Sequence, residues 1–264
     1  MLQEALAVWT KIYAINLVRY FLFSGVAYLI FYVFFKERFA HKRIQKKDVD
    51  KEKIKAEFKY SITSLMIFAA MGIVIFFGKK VGIFQIYSEF SEHSIAYFFF
   101  SVLAAILLHD TYFYWTHRFM HLKWVFPKVH LVHHLSNNPS PWAAFSFHPT
   151  EAVIESAILP LMLLFLPMHP IAILTFLIYM TAMNVMGHLG YEMYPKGMLQ
   201  NPIGRLNNTS VHHNMHHRLV NCNYGLYFNV WDLLMKTNHT KYQEEFERVA
   251  ASERVEIEPS PVNG

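Results

Sequence analysis

The sequence predicts an all-α integral membrane protein with about four to five membrane-embedded helices and a cytoplasmic, histidine-rich helical cap holding a dimetal site. Three observations predict it. Apolar residues make up 54% of the 264-residue chain and charged residues only 16%, well below the quarter usual in soluble domains. The apolar residues fall in long runs separated by charged or polar loops. Eight of the sixteen histidines sit in three tight clusters: His117 and His121; His130, His133 and His134; His213, His216 and His217.

Taken in order, the first apolar stretch runs from about Tyr13 to Phe35, interrupted only by Asn16 and Arg19. No basic leading segment or small-residue cleavage site marks a removable signal peptide. Tyr60 to Phe77 is uncharged and long enough to cross a hydrocarbon core of about 30 Å with slight thinning. Ser94 to Leu108 is shorter, and Tyr112, Phe113, Tyr114 and Trp115 extend it to an aromatic interface. Ala152 to Met186 holds two segments with Pro167 and Pro170 at the turn. Each half is short for a span, which predicts a hairpin that enters and leaves the membrane. Tyr242 to Glu258 reads as a charged helix, and Pro259 to Gly264 as a frayed tail. The expected organisation is N-terminal membrane helices and a basic loop over 1–93, a catalytic domain over 94–246 and a C-terminal tail over 247–264.

Charge placement fixes an expected orientation. The segment from Lys36 to Lys59 carries ten Lys and Arg residues, and the loop at Lys79 and Lys80 carries two. By the positive-inside rule the first is cytoplasmic. The N-terminus then lies outside, and all three histidine clusters return to the cytoplasmic side of a multi-pass protein. The sequons at Asn207, Asn208 and Asn238 fall on that same side, where glycosylation is not expected. The basic loop serves as a topology signal, and the net charge of +5 gives no basis for a nucleic-acid partner. The single Cys222 excludes an internal disulfide and any Cys-rich zinc or iron–sulfur site.

The clusters carry the chemistry. His117 and His121 read H-x-x-x-H, and each of the others reads H-x-x-H-H. On a helix, residues three and four apart share a face, so each cluster aims imidazoles at one region. Adjacent histidines diverge by about 100°, which suits reaching two different ions. Neutral imidazole suits iron, zinc, copper and nickel, and eight ligands exceed what one ion holds, so two metals are expected. His188, in NVMGHLGYE, ends an apolar segment on the face of Asn184 and is a ninth candidate. Around these nine, five residues are candidates for supporting roles. Asp110 is placed to fix a ligand tautomer, and His212 to hydrogen-bond beside the third cluster. Glu151 is a bridging or proton-relay carboxylate, His148 lies near it, and Asn184 stands behind His188. His239 is expected to cap a helix or close the site. His169 falls at the hairpin turn.

The stretches HDTYFYWTHRFMH, HLVHH, GHLGYE and HHNMHH, with the later YGLYFNVWDLLMKTNH, resemble the membrane fatty acid hydroxylase/sterol desaturase superfamily over about Ala96 to Phe246. The resemblance implies two iron ions on His117, His121, His130, His133, His134, His213, His216 and His217, with His188 as an additional ligand. It also implies dioxygen as co-substrate and hydroxylation of an unactivated C–H bond of a membrane lipid, a fatty acyl chain or a sterol-like molecule. Zinc is expected to replace iron on purification, following the affinity order of divalent ions. No haem-binding H-P-G-G is present, so electrons are expected from a separate reductase or small redox protein. The oligomeric state is not specified by the sequence. Three other readings stand beside this one: a lipid or sterol desaturase using the same centre, a membrane metal or haem carrier, and a zinc hydrolase, which eight ligands fit poorly.

Overall fold

A computed structural model of the chain describes residues 1–252, and all regular elements among these are helical. The expected tail from Pro259 and the end of the expected final helix lie outside the described residues.

Among the described residues, four helices are long and apolar enough to cross a membrane: α1 (Leu2–Phe34), α2 (Lys51–Lys80), α3 (Ile95–Met120) and, after the shorter α4 (Pro149–Leu163), α5 (Pro170–Gly187). Helix α1 starts eleven residues before the apolar run and relaxes into wider π turns at Phe21–Gly25 and Leu29–Phe34. Helix α2 begins where Asp50 accepts from Glu52 N. Its 30 residues span about 45 Å at 1.5 Å per residue. Its first turns, from Lys51 to Lys59, therefore project beyond the apolar run, and much of the expected basic loop is helix. Helix α3 is capped by Ser94 and runs past Leu108 to carry His117 beyond the aromatic belt. The expected hairpin is present: α4 and α5 each start with proline in the first turn, capped by His148 and His169. Proline is tolerated there because the first-turn N–H groups have no intrahelical acceptor.

Two apolar cores hold the membrane helices. Tyr20, Leu65, Phe145, Phe147, Ala152 and Val185 join α1, α2, α4 and α5 at one level. Ala105, Ile158, Met162, Met168, Ala172 and Phe176 join α3 to the hairpin at another. Many large side chains on the outer surface are exposed, among them Leu6, Val18, Leu22, Phe99, Phe100 and Leu103, as expected where the solvent is lipid.

The cap adds α6 (Ser210–Leu219), α7 (Val230–Met235) and α8 (Tyr242–Ala250). Ile44 from the basic loop packs with Val211, Met215, Phe246 and Val249 in its core. Gln45 donates to Asn137 O and Asn214 Oδ1, and Lys53 Nζ to Asn137 Oδ1. The basic segment and the histidine cap therefore share one end of the bundle. At the other end the 81–94 loop meets the hairpin turn, where Gln85 N donates to Leu163 O and Met168 N to Gln85 O.

Candidate metal centre

Nine buried or nearly buried imidazoles converge in two groups. His117, His121, His130, His134 and His216 form one, and His133, His188, His213 and His217 the other; within each, the potential ligand atoms all lie within 4.8 Å of one another. The adjacent pairs divide as helical geometry predicts. His134 and His216 face the first group, His133 and His217 the second. In each H-x-x-H-H cluster the i, i+4 pair stays together and the middle histidine crosses to the other group.

The tautomers define what these imidazoles can hold. Nδ1 of His117 donates to Tyr224 O at 2.8 Å, that of His188 to Asn184 O at 2.8 Å, and that of His216 to Cys222 O at 2.7 Å. His133 Nδ1 faces Ser146 O at 3.2 Å, and His130 Nδ1 lies 2.6 Å from Glu151 Oε1. A carbonyl only accepts, so in the neutral rings of His117, His133, His188 and His216 the proton sits on Nδ1 and Nε2 presents a lone pair; the same holds for His130 when Glu151 is ionised, a form that burial opposes. Yet His117 and His130 bring their Nε2 atoms to 3.0 Å, and His133 and His188 bring theirs to 3.3 Å. No proton is available between such lone pairs, so a cation is the partner that satisfies them. The spacing fits one. Metal–nitrogen bonds of about 2.1 Å place neighbouring ligands about 3.0 Å apart at right angles and about 3.4 Å apart in a tetrahedron. His134 to His216 is 3.0 Å, His188 to His213 is 3.0 Å and His213 to His217 is 3.1 Å.

Burial keeps these rings neutral. It pulls His134 down to about 3 and His188 to about 4. His130, His133, His213, His216 and His217 are held well below the ordinary range, by burial first and neighbouring imidazoles second. Neutral rings are the ligand form.

Several supporting roles differ from expectation. Asp110 touches none of the nine: its Oδ1 accepts from Tyr227 N at 2.8 Å and Phe228 N at 3.1 Å. A carboxylate buried at that depth needs donors, and two main-chain N–H groups supply them. Glu151 neither bridges the groups nor faces into them; it stands behind His130. His148 belongs to neither group and caps α4 by accepting from Thr150 N. Asn184 orients His188 through its main-chain carbonyl, while its Nδ2 donates to Ala144 O. His212 lies outside both groups, 3.3 Å from Asp232 Oδ2 and against the Tyr242 ring. His239 accepts from Lys241 N just before α8 and joins neither group.

Sequence reasoning assigned no role to the loop after α6, which supplies the Cys222 and Tyr224 carbonyls. Asp232 holds that loop, accepting from Tyr224 N, Gly225 N and Thr237 Oγ1. A side chain at Gly225 would put its Cβ 2.7 Å from Phe228 O and 2.9 Å from Asp232 Oδ2, so only glycine fits. The available signal was the Y-G turn followed by a buried aspartate within an apolar helix.

Beside the imidazoles, between α1, α2, α3, α4 and α5, lies a mostly apolar cavity of about 430 Å³. Its inner end meets Phe113, whose ring lies 4.9 Å from that of His117, Phe147, 5.1 Å from that of His133, and Asn184. Along α5 the lining runs from Pro170 to Asn184, about 21 Å at helical rise.

A helical bundle with four candidate membrane helices among the described residues and two buried polyhistidine groups beside an apolar cavity is able to hold metal ions next to a hydrocarbon-sized space. Residues 102–237, more than half of the chain, match the family model described as Fatty acid hydroxylase, and the chain belongs to this family. It is 26% identical to human Lathosterol oxidase over 219 residues, covering 82% of this chain and 70% of that protein. It is 28% identical to the Delta(7)-sterol 5(6)-desaturase erg31 of Schizosaccharomyces pombe over 215 residues, covering 81% and 67%. A Delta(7)-sterol 5(6)-desaturase of Gibberella zeae, ERG3A, is 26% identical over 248 residues, covering 94% and 67%. No solved structure matches the chain.

Proposed function

We propose that the protein is a membrane-bound di-iron oxygenase that hydroxylates an unactivated C–H bond of a lipid, an acyl chain or a sterol-like molecule. The observation that carries this is the convergence of tautomer-locked Nε2 lone pairs beside an apolar cavity. The five-histidine group is His117, His121, His130, His134 and His216, and the four-histidine group is His133, His188, His213 and His217; each holds one iron in this reading. Groups of five and four imidazoles exceed the three protein ligands usual at a catalytic zinc, although zinc competes for such sites on purification.

When bound, the metal pair supplies dioxygen activation and removal of hydrogen from carbon. The protein's own residues do the rest. Main-chain carbonyls and Glu151 fix the imidazoles. Phe113 and Phe147 wall the cavity against the rings, and its apolar lining holds the hydrocarbon and excludes water. Electrons come from an external reductase or small redox protein. The N-terminus lies outside and the histidine cap faces the cytoplasm, an orientation supported by the basic segment packed against the cap. Residues 94–246 form the catalytic domain, preceded by the membrane helices and basic loop of 1–93 and followed by the tail of 247–264.

Desaturation is the second reading, favoured by the sterol desaturases among the relatives. Both reactions begin with the same hydrogen removal. Lipid mass spectrometry of cells expressing the wild type or a His133→Ala, His217→Ala double variant under oxygen-18 gas separates them. A lipid gaining one labelled oxygen only in the wild type supports hydroxylation; loss of two hydrogens supports desaturation. Neither change, with good expression and a supplied reductase, refutes both.

A further inference from the structure

The two polar residues that interrupt the first apolar run have no part in the metal centre. Arg19 lies near the middle of α1, where a charged side chain is costly unless it faces the bundle interior and finds a partner. It is only 6% exposed, and its Nη2 donates to Asn16 Oδ1 at 3.2 Å. Its Nε and Nη1 are buried and meet no acceptor. Both Arg19 and Asn16 line the apolar cavity, which adjoins the imidazoles through Phe113, Phe147 and Asn184. Half-buried Glu155 also lines it but makes no ion pair with Arg19. An apolar occupant would seal the guanidinium away from water with only one amide for company, a severe desolvation.

We infer that Arg19, positioned by Asn16, is the polar anchor of the lipid cavity. It takes an oxygen acceptor carried by the lipid, and so fixes which carbon lies at the metal end. The inference rests on the lipid-oxygenase reading and adds a recognition element to it. A hydroxyl, carbonyl or carboxylate oxygen would receive the free N–H groups. Such a site rejects the analogue lacking that oxygen, because its own buried donors would be left unpaired. Arg19 adjoins Tyr20, which packs with Phe145 and Phe147, so the anchored oxygen is held near the level at which the cavity approaches the imidazoles.

The test measures equilibrium binding to the metal-loaded protein in lipid nanodiscs without an electron donor, so that no turnover occurs. Two matched probe pairs are used: cholestanol with cholestane, and stearic acid with octadecane. In the wild type, one pair is expected to show at least roughly a tenfold preference for the oxygen-bearing member, the scale of a hydrogen bond to a charged group. The pair that shows it identifies the source of the oxygen as sterol or acyl lipid. Arg19→Leu abolishes the preference and tightens hydrocarbon binding, because no guanidinium is then sealed from water; Arg19→Gln, the variant used if the leucine form fails to fold, reduces the preference. Equal affinity within both pairs in the wild type, or a preference unchanged in the variants, overturns the anchor. The oxygen-18 assay runs in parallel. Product without a preference sinks the anchor alone, and a preference without product sinks the oxygenase reading alone.

Discussion

Removing Glu151 tests whether the metal groups are tuned from behind. Its Oε1 lies 2.6 Å from His130 Nδ1, with both side chains at most 2% exposed. A hydrogen bond of this length to a carboxylate holds the Nε2 lone pair on line and makes it more basic. Hydrogen bonds to charged groups contribute about 1.5–3 kcal/mol, which corresponds to roughly 10–100-fold in metal affinity, the range seen when such partners are removed elsewhere. Glu151→Gln retains an acceptor and is expected to fall near the lower limit; Glu151→Ala is expected near the upper. Glu151 has no contact with the four-histidine group, so that ion should stay tighter. Stability should respond differently. Oε2 of Glu151 is buried without a partner, so deleting the carboxylate relieves a desolvation that partly offsets the lost bond. The metal-free variant should therefore melt close to the wild type. The assay is metal content against graded chelator, read by elemental mass spectrometry, with melting of the metal-free protein alongside. Unchanged affinity, or earlier loss of the ion in the four-histidine group, would refute the reasoning.

Three further outcomes follow from the geometry. His133→Ala and His134→Ala alter adjacent residues yet should deplete different ions, the four-histidine and the five-histidine one respectively; identical chelator profiles would contradict the division. Gly225→Ala forces a Cβ against Phe228 O and the Asp232 carboxylate, and overpacking of this kind costs about 1–3 kcal/mol, so a melting temperature equal to wild type would show that the loop yields freely. Cys222 is buried, which gives a low labelling background in intact cells. An impermeant maleimide applied outside should label Glu89→Cys and spare Lys47→Cys, both exposed positions; the reverse pattern would invert the orientation.

The nine imidazoles were legible because helical spacing converts sequence offsets into directions. The 100° step between His133 and His134 is enough to send them to opposite groups. Their supports were largely illegible because main-chain carbonyls provide them, at Ser146, Asn184, Cys222 and Tyr224, and a carbonyl leaves no residue-type signature. Asp110 shows the same limit from the other side. The need for a partner could be read from burial of a carboxylate, but its partners are the N–H groups of Tyr227 and Phe228, which any sequence there would offer. Helix ends were misjudged wherever the apolar run stopped before the helix did. Asp50 caps α2 beyond the membrane, and nothing in hydropathy marks that extension.

The division of the clusters has a consequence for assembly. Each H-x-x-H-H segment gives a pair to one group and a single histidine to the other, in opposite senses: His130 and His134 against His133, then His213 and His217 against His216. Neither group can form from one segment alone. Before a cation binds, the paired Nε2 lone pairs repel one another inside a region closed to water, which leaves the metal-free cap without a stabilising partner at its centre. The apolar core of Ile44, Val211, Met215 and Phe246 and the loop clamped by Asp232 must hold the rings in place against that repulsion. Metal binding then contributes directly to cohesion of the cap. Two ions held here would draw on the same two segments, 130–134 and 213–217, so binding at either group would order ligands of the other, a positive coupling that follows from the sequence spacing.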